Sequence, residues 1–152
     1  MNEKKLVTII TPTYNRAYIL GKCYESLLKQ TNKSFIWMIV DDGSTDNTKE
    51  LVEKWIHEGK IDIHYYVKEN GGKASALNFA LDRIETEYWV CLDSDDTLSC
   101  NAIELALKEL EEIKDNPRYC GILALRHHPN GEVLGGKKIP KNVSETTLIE
   151  LV

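Results

Sequence analysis

The sequence predicts an α/β domain, with a mostly parallel central sheet and helices on both of its faces. Three observations carry this. From Leu6 to Leu125, β-branched apolar runs alternate with stretches whose apolar residues recur every three or four positions. That alternation is the signature of βαβ units. The strand-like runs are apolar on both sides, as in a sheet covered on both faces. The least ordinary polar residues stand where the strands end, which is where ligands bind in such sheets.

The elements follow in order. Leu6-Val7-Thr8-Ile9-Ile10 reads as a first strand and ends in Thr11-Pro12-Thr13-Tyr14-Asn15. Leu20, Cys23, Leu27 and Leu28 mark one face of a first helix. Ser34 to Val40 is a second strand, ending at Asp41-Asp42-Gly43. Leu51, Val52, Trp55 and Ile56 form the stripe of a second helix, with Ser44, Thr45 and Asp46 available to cap it. Ile61 to Val67 is a third strand. Ala74, Leu77, Leu81 and Ile84 share a face of a third helix, which Asn70-Gly71-Gly72-Lys73 opens. Tyr88 to Leu92 is a fourth strand and runs into Asp93-Ser94-Asp95-Asp96. Ile103, Ala106, Leu107 and Leu110 mark a fourth helix, and Tyr119 to Leu125 a fifth strand, with Asn130-Gly131 as a tight turn beyond it. Ser144-Glu145-Thr146-Thr147 reads as the start of a helix whose apolar stripe is Leu148, Ile149, Leu151 and Val152. So short a helix is marginal by itself. The expectation is therefore the front part of a longer protein, one domain over residues 1–152, able to self-associate through that stripe.

Composition narrows the function classes. At 152 residues, 42% hydrophobic and 28% charged, the chain is neither fibrous nor disordered. A net charge of −5 without a basic run argues against nucleic acid and against a polybasic membrane surface. No apolar stretch approaches the ~18 residues of a spanning helix. Thr11-Pro12-Thr13 interrupts the first apolar run, so that run reads as a strand and not as a signal peptide. Cys23, Cys91, Cys100 and Cys120 have no zinc spacing and read as reduced, half-buried thiols of a cytoplasmic protein. His57, His64, His127 and His128 show no metal spacing and read as surface or structural residues.

The polar clusters carry chemistry. Asp93 and Asp95, one residue apart at a strand end, can share a divalent cation with a ligand's phosphate oxygens. Asp96 adds a third carboxylate whose repulsion a cation would relieve. A calcium loop is excluded because Leu98 stands where the loop needs glycine. Asp42 can accept a hydrogen bond from a ribose hydroxyl or a base N–H. Gly71-Gly72-Lys73 is no P-loop, yet glycines at a helix start can offer backbone N–H groups to an anion, and Lys73 adds charge. The plainer alternatives are an acidic cap for Asp93 to Asp96 and a flexible turn for the glycines.

Taken together, Val7 to Arg16 (VTIITPTYNR), Val40 to Asp46 (VDDGSTD), Asn70-Gly71-Gly72-Lys73 with Asn78, and Leu92-Asp93-Ser94-Asp95-Asp96 resemble glycosyltransferase family 2. The resemblance spans roughly residues 5–125 and implies a Rossmann-like GT-A fold. It also implies inverting transfer from a nucleotide sugar, in practice a UDP-sugar, with a carbohydrate or lipid-linked acceptor. In that reading Pro12, Thr13, Tyr14 and Asp42 contact the nucleobase and its neighbourhood. Lys73 lies near the ribose and diphosphate. Asp93-Ser94-Asp95 is the DXD motif, with Asp95 the direct ligand of Mn2+ or Mg2+ and Asp93 and Ser94 nearer the ribose. No acidic residue after Leu125 stands in a convincing context for the base that deprotonates the acceptor, so the base is expected beyond the chain end. The family's usual setting, polysaccharide assembly, implies a cytoplasmic protein that in full length works at the cytoplasmic face of the membrane. Two other classes fit part of the pattern: a non-catalytic nucleotide- or sugar-binding module, and a metal-dependent phosphoryl-transfer domain with Asp42 or Asp93 as acceptor.

Overall fold

The computed structural model describes residues 5–126, 132 and 148–151, with side chains placed for 5–122 and 132. Four strands form one sheet: β1 (Val7–Thr13), β2 (Phe35–Asp41), β3 (Ile63–Val67) and β4 (Tyr88–Cys91). Their order is β3-β2-β1-β4 and every pairing is parallel. The helices between and after them are α1 (Ala17–Leu28), α2 (Thr48–Glu58), α3 (Lys73–Leu81) and α4 (Ala102–Ile113).

Alternation along the strands sorts the helices. Val7, Ile9, Phe35, Trp37 and Ile39 pack with Leu20, Cys23, Tyr24 and Leu27 of α1, Val52 and Trp55 of α2, and Ala102 and Ile103 of α4. The intervening Ile10, Met38 and Val40 face Ala76 and Ala80 of α3. Three helices thus cover one face and one covers the other, so both faces are covered as the sequence predicts. The order explains the split. Two crossovers step outward from β1 to β3, and the third returns across the sheet to β4. Crossovers of one hand must then place α3 opposite α1 and α2.

Inside the larger core the rings of Tyr24 and Trp55 stack with centroids 4.3 Å apart, and Trp37 lies 5.8 Å from Trp55. The Trp37 indole N–H is satisfied by the Thr11 hydroxyl at 2.9 Å. Burial pushes the Cys23 thiol up to about 12, against a hydrogen bond to Thr11 that favours the thiolate. All four cysteines are free; Cys23 is buried and Cys91 half-buried, but Cys100 and Cys120 are exposed, contrary to the half-buried expectation.

Two further expectations change. The predicted stripe of Ala74, Leu77, Leu81 and Ile84 holds in part: Leu77 and the following Ile84 pack against the core on the α3 side of the sheet, but Ala74 and Leu81 do not face it. Ala76 and Ala80 are buried, whereas Ala74 and Leu81 are exposed. Small residues four apart let the helix backbone approach the sheet closely. The tail helix is replaced at Leu148–Leu151 by a strand, β6, paired in parallel with β5 (Leu123–Arg126) in a separate two-stranded sheet. Four apolar-rich residues are too short a run for periodicity to separate helix from strand, and the helical basis for self-association goes with it. The fifth strand also begins later than expected, at Leu123. Asn130-Gly131, His127, His128, Glu145 and Val152 lie outside the described residues. Among the described residues no helix is long and apolar enough to cross a membrane.

Candidate functional site

The carboxyl ends of β1, β2 and β4 and the start of α3 meet at one end of the sheet. The strand order reverses at β1, which has β2 on one side and β4 on the other, so the crevice above it is the expected binding position. The four predicted clusters are tied there by direct contacts. The backbone N–H of Asp42 donates to the Thr13 carbonyl at 2.8 Å. Asp42 in turn holds Gly71 and Gly72. Lys73 Nζ is 2.6 Å from Asp93 Oδ1. Arg16 Nη1 lies 3.9 Å from Asp95 Oδ2, which closes the ring of contacts.

The loop after β1 is shaped by Asn15, among the described residues the non-glycine residue with positive φ, at 53°. Asparagine tolerates this left-handed region better than most residues. Its side-chain oxygen accepts the N–H groups of Thr45 at 2.7 Å and Asp46 at 3.2 Å, and its own N–H donates to the Ser44 hydroxyl at 2.8 Å. The predicted capping by Asp46 is wider than one helix. Its carboxylate accepts Thr48 N–H at the start of α2 and Ala17 N–H at the start of α1. Burial would raise its pKa, but these donors and the Thr48 hydroxyl hold it below its ordinary value.

Asp41 and Asp42 are both buried. Asp41 accepts the Ser44 N–H at 2.7 Å and the Tyr65 hydroxyl at 2.5 Å. Burial and that carboxylate push the Tyr65 phenol well up. Asp42 accepts Lys68 Nζ at 2.7 Å, Gly71 N–H at 3.0 and 3.1 Å, and Gly72 N–H at 2.6 Å. Burial by itself would raise its pKa; the Lys68 bond, the two glycine N–H groups and the lysine's charge together hold it below the usual value. The expectation that Gly71 and Gly72 offer their N–H groups to an external anion is therefore corrected: they already hold the chain's own carboxylate. Lys73 remains directed at the site, its pKa raised chiefly by the hydrogen bond to Asp93, against the lowering effect of burial.

The loop after β4 is anchored from behind. Gln30, buried at the end of α1, donates to the Ser99 carbonyl at 2.6 Å and accepts Ile103 N–H at 3.2 Å. The Ser26 hydroxyl accepts Leu98 N–H. This leaves Asp93 and Asp95 forward, with side chains 32% and 51% exposed. Ser94 between them is buried. Pro12 is half-buried, Tyr14 is exposed, and Thr13 is buried with its hydroxyl oxygen unpaired within the protein. Among the described residues no group of three or more His, Cys, Asp or Glu side chains is gathered to hold a metal by itself.

Sequence reasoning missed Lys68, Gln30 and the double role of Asp46. Lys68 had a readable signal. Asp41 pairs with Val67 across β2 and β3, so a parallel sheet sets the next residue, Lys68, beside Asp42. Gln30 and Ser26 had none, because their partners are backbone groups distant in sequence.

The match to known proteins agrees with this arrangement. The family model described as Glycosyl transferase family 2 matches residues 8–132. The hyaluronan synthase of Pasteurella multocida is 38% identical over 135 residues, which is 88% of this chain and 14% of that protein. The glycosyltransferase GlyG of Streptococcus pneumoniae is 32% identical over 71% of this chain and 36% of its own length. The chain thus spans well under half of these relatives. Among solved structures, S. aureus TarS 1-349 in complex with UDP-GlcNAc superposes with a TM-score of 0.72 at 28% identity, covering 89% of this chain and 37% of that one. The mannosyltransferase PcManGT of Pyrobaculum calidifontis, in complex with GDP-Man and Mn2+, gives 0.72 at 27% identity over 84% of this chain and 37% of its own. Four clusters tied together at the strand ends, on a parallel sheet shared with these transferases, belong to one lineage: the chain is a member of glycosyl transferase family 2.

Proposed function

We propose that this chain binds a nucleoside diphosphate sugar, with uridine as the nucleoside, and assists departure of the diphosphate while an acceptor hydroxyl attacks the anomeric carbon with inversion. The observation that carries this is the pairing of Lys73 with Asp93 beside a forward Asp95, at the reversal point of the sheet. Tyr14 and Pro12, with the unpaired Thr13 hydroxyl, lie at the base end; Asp93 and Ser94 lie toward the ribose; Lys73 lies toward the diphosphate. The comparisons support the donor class, since neighbours are complexed with UDP-GlcNAc and with GDP-Man.

The acidic pair fits a divalent cation in an open way. Asp93 and Asp95 supply two carboxylates, and Mn2+ or Mg2+ in such sites completes its shell with phosphate oxygens and water. When bound, the cation supplies charge stabilisation for the leaving diphosphate. The chain's own share is carried by Lys73. Its ammonium, cationic near neutral pH like an ordinary lysine's, would meet the charge that develops as the sugar–phosphate bond breaks. The donor half of the reaction is what these residues serve; none of them is assigned the acceptor's general base. The acceptor is proposed to be a carbohydrate or lipid-linked hydroxyl, by analogy with the polymer synthases among the relatives.

The test is calorimetric titration with UDP, GDP and dTDP, each with and without Mn2+. Tightest binding of UDP, strengthened by Mn2+ and made insensitive to Mn2+ by Asp95→Asn, is the expected result. Metal-independent binding would favour the plain binding module. Absence of binding by any nucleoside diphosphate would end the donor reading.

A further inference from the structure

We propose that Tyr65 is a positioning residue for the nucleobase end of the donor site: its phenol, through Asp41, Ser44 and Asn15, fixes the loop that carries Tyr14. The inference rests on the donor-site reading above. The residues concerned form an unbroken line of hydrogen bonds. Tyr65, half-buried on β3, donates to Asp41 Oδ2 at 2.5 Å. Asp41 Oδ1 accepts the Ser44 N–H at 2.7 Å. The Ser44 hydroxyl accepts the Asn15 N–H at 2.8 Å. Asn15 follows Tyr14 and returns the tie, its side-chain oxygen accepting the Thr45 N–H at 2.7 Å. A side chain on the edge strand is thereby coupled to the loop after β1, across β2.

Three features give this line its effect. Asp41 is 1% exposed, with the phenol on one carboxylate oxygen and Ser44 on the other. A buried carboxylate that loses a donor must turn or draw in water to replace it, and either movement pulls on Ser44. Burial, and then the Asp41 carboxylate, raise the Tyr65 pKa, so the phenol keeps the proton it donates. Second, Asp41 and Asp42 order different loops. Successive side chains along a strand point to opposite sides, and Asp42 meets Lys68, Gly71 and Gly72 instead. Third, Tyr14 has little packing of its own, being 47% exposed. A ring so open takes its direction from its backbone. That backbone is held on one side by Thr13, in register with Asp41, and on the other by Asn15, tied to Ser44. Both holds run back to Asp41, and Tyr65 braces it.

The experiment compares the wild-type chain with Tyr65→Phe, Tyr14→Ala and the double variant, at a temperature where each is folded. Two quantities are read: affinity for UDP with and without Mn2+ by calorimetry, and hydrogen exchange at the Asn15 and Ser44 amides by NMR. The expected result is about fivefold weaker UDP binding in Tyr65→Phe, the scale of ordering one side chain at binding instead of beforehand. The factor by which Mn2+ strengthens binding stays at its wild-type value, and both amides exchange faster. In the Tyr14→Ala background Tyr65→Phe costs nothing further, a non-additivity that general loosening of the fold would not produce. Wild-type affinity in Tyr65→Phe would overturn the proposal, as would an undiminished loss in the Tyr14→Ala background or unchanged exchange at both amides. If Tyr65→Phe fails to fold, Ser44→Ala, which breaks the link to Asn15, decides by the same affinities and by the Asn15 amide. A wild-type chain that binds no UDP would sink the donor reading, and amide exchange would still decide whether Tyr65 sets the loop after β1.

Discussion

A side chain at this site seldom serves one contact. Asn15 holds an unfavourable backbone angle and accepts two N–H groups from the loop after β2, so the first two strand ends are joined through it. Asn15→Ala removes the acceptor and leaves a β-carbon in the left-handed region. A loss of about 1–2 kcal/mol is expected. Asn15→Gly should recover the backbone part of that loss, and denaturant melts of both variants check the order. A smaller loss for alanine than for glycine would mean that the angle carries no strain. At this scale the sequence was informative about which residues are unusual and less so about what they touch. Asp42 reads as an acceptor, and it is one; spacing did not reveal that Gly71, Gly72 and Lys68 of the chain itself are among its donors. Spacing reveals a carboxylate's position at a strand end; its partners depend on loop closure, which leaves no periodic trace.

Elements were legible wherever a stripe had one clear side. Leu20, Cys23 and Leu27 of α1, Val52 and Trp55 of α2, and Ile103 and Leu110 of α4 are buried as their spacing predicts. Helix α3 was legible only in part: Leu77 packs inward as its spacing predicts, but the fully buried positions are the alanines Ala76 and Ala80. A stripe search weights large side chains, whereas close helix–sheet packing favours small ones. The strand at Leu148–Leu151 was misread because four residues fit either period. Trp55 tests how far the larger core depends on one helix. It is buried, stacked on Tyr24 and near Trp37. Trp55→Ala should cost about 3–5 kcal/mol, measured by urea unfolding. A cost under 1 kcal/mol would show that the three rings do not act as one packed unit.

Across the described residues, the predicted α/β layering, with helices on both faces and the four polar clusters at one end of the sheet, matches the structure. The feature with the widest consequence is the place of β4. It is four residues long, lies at the end of the order β3-β2-β1-β4, and is reached only after the crossover through α3. Its partner β1 stands some eighty residues upstream by the register Val7 with Tyr88, while β1 and β2 are joined by a short local crossover. Closing a long loop before any contact rewards it makes such a pairing late and cheap to undo. The chain is thus expected to breathe at one seam, with β4 peeling from β1 while β1, β2 and β3 stay paired. Hydrogen exchange should show this as a lower opening free energy for the Leu92 amide, bonded to the Ile10 carbonyl, than for the amides of Trp37 and Ile39 in β2. Equal values would mean one cooperative unit. Because Asp93 and Asp95 ride on β4 and Lys73 does not, each such opening would separate the acids from the lysine. A ligand that bridges the two would then act as a fastener, slowing exchange along this seam more than anywhere else in the sheet.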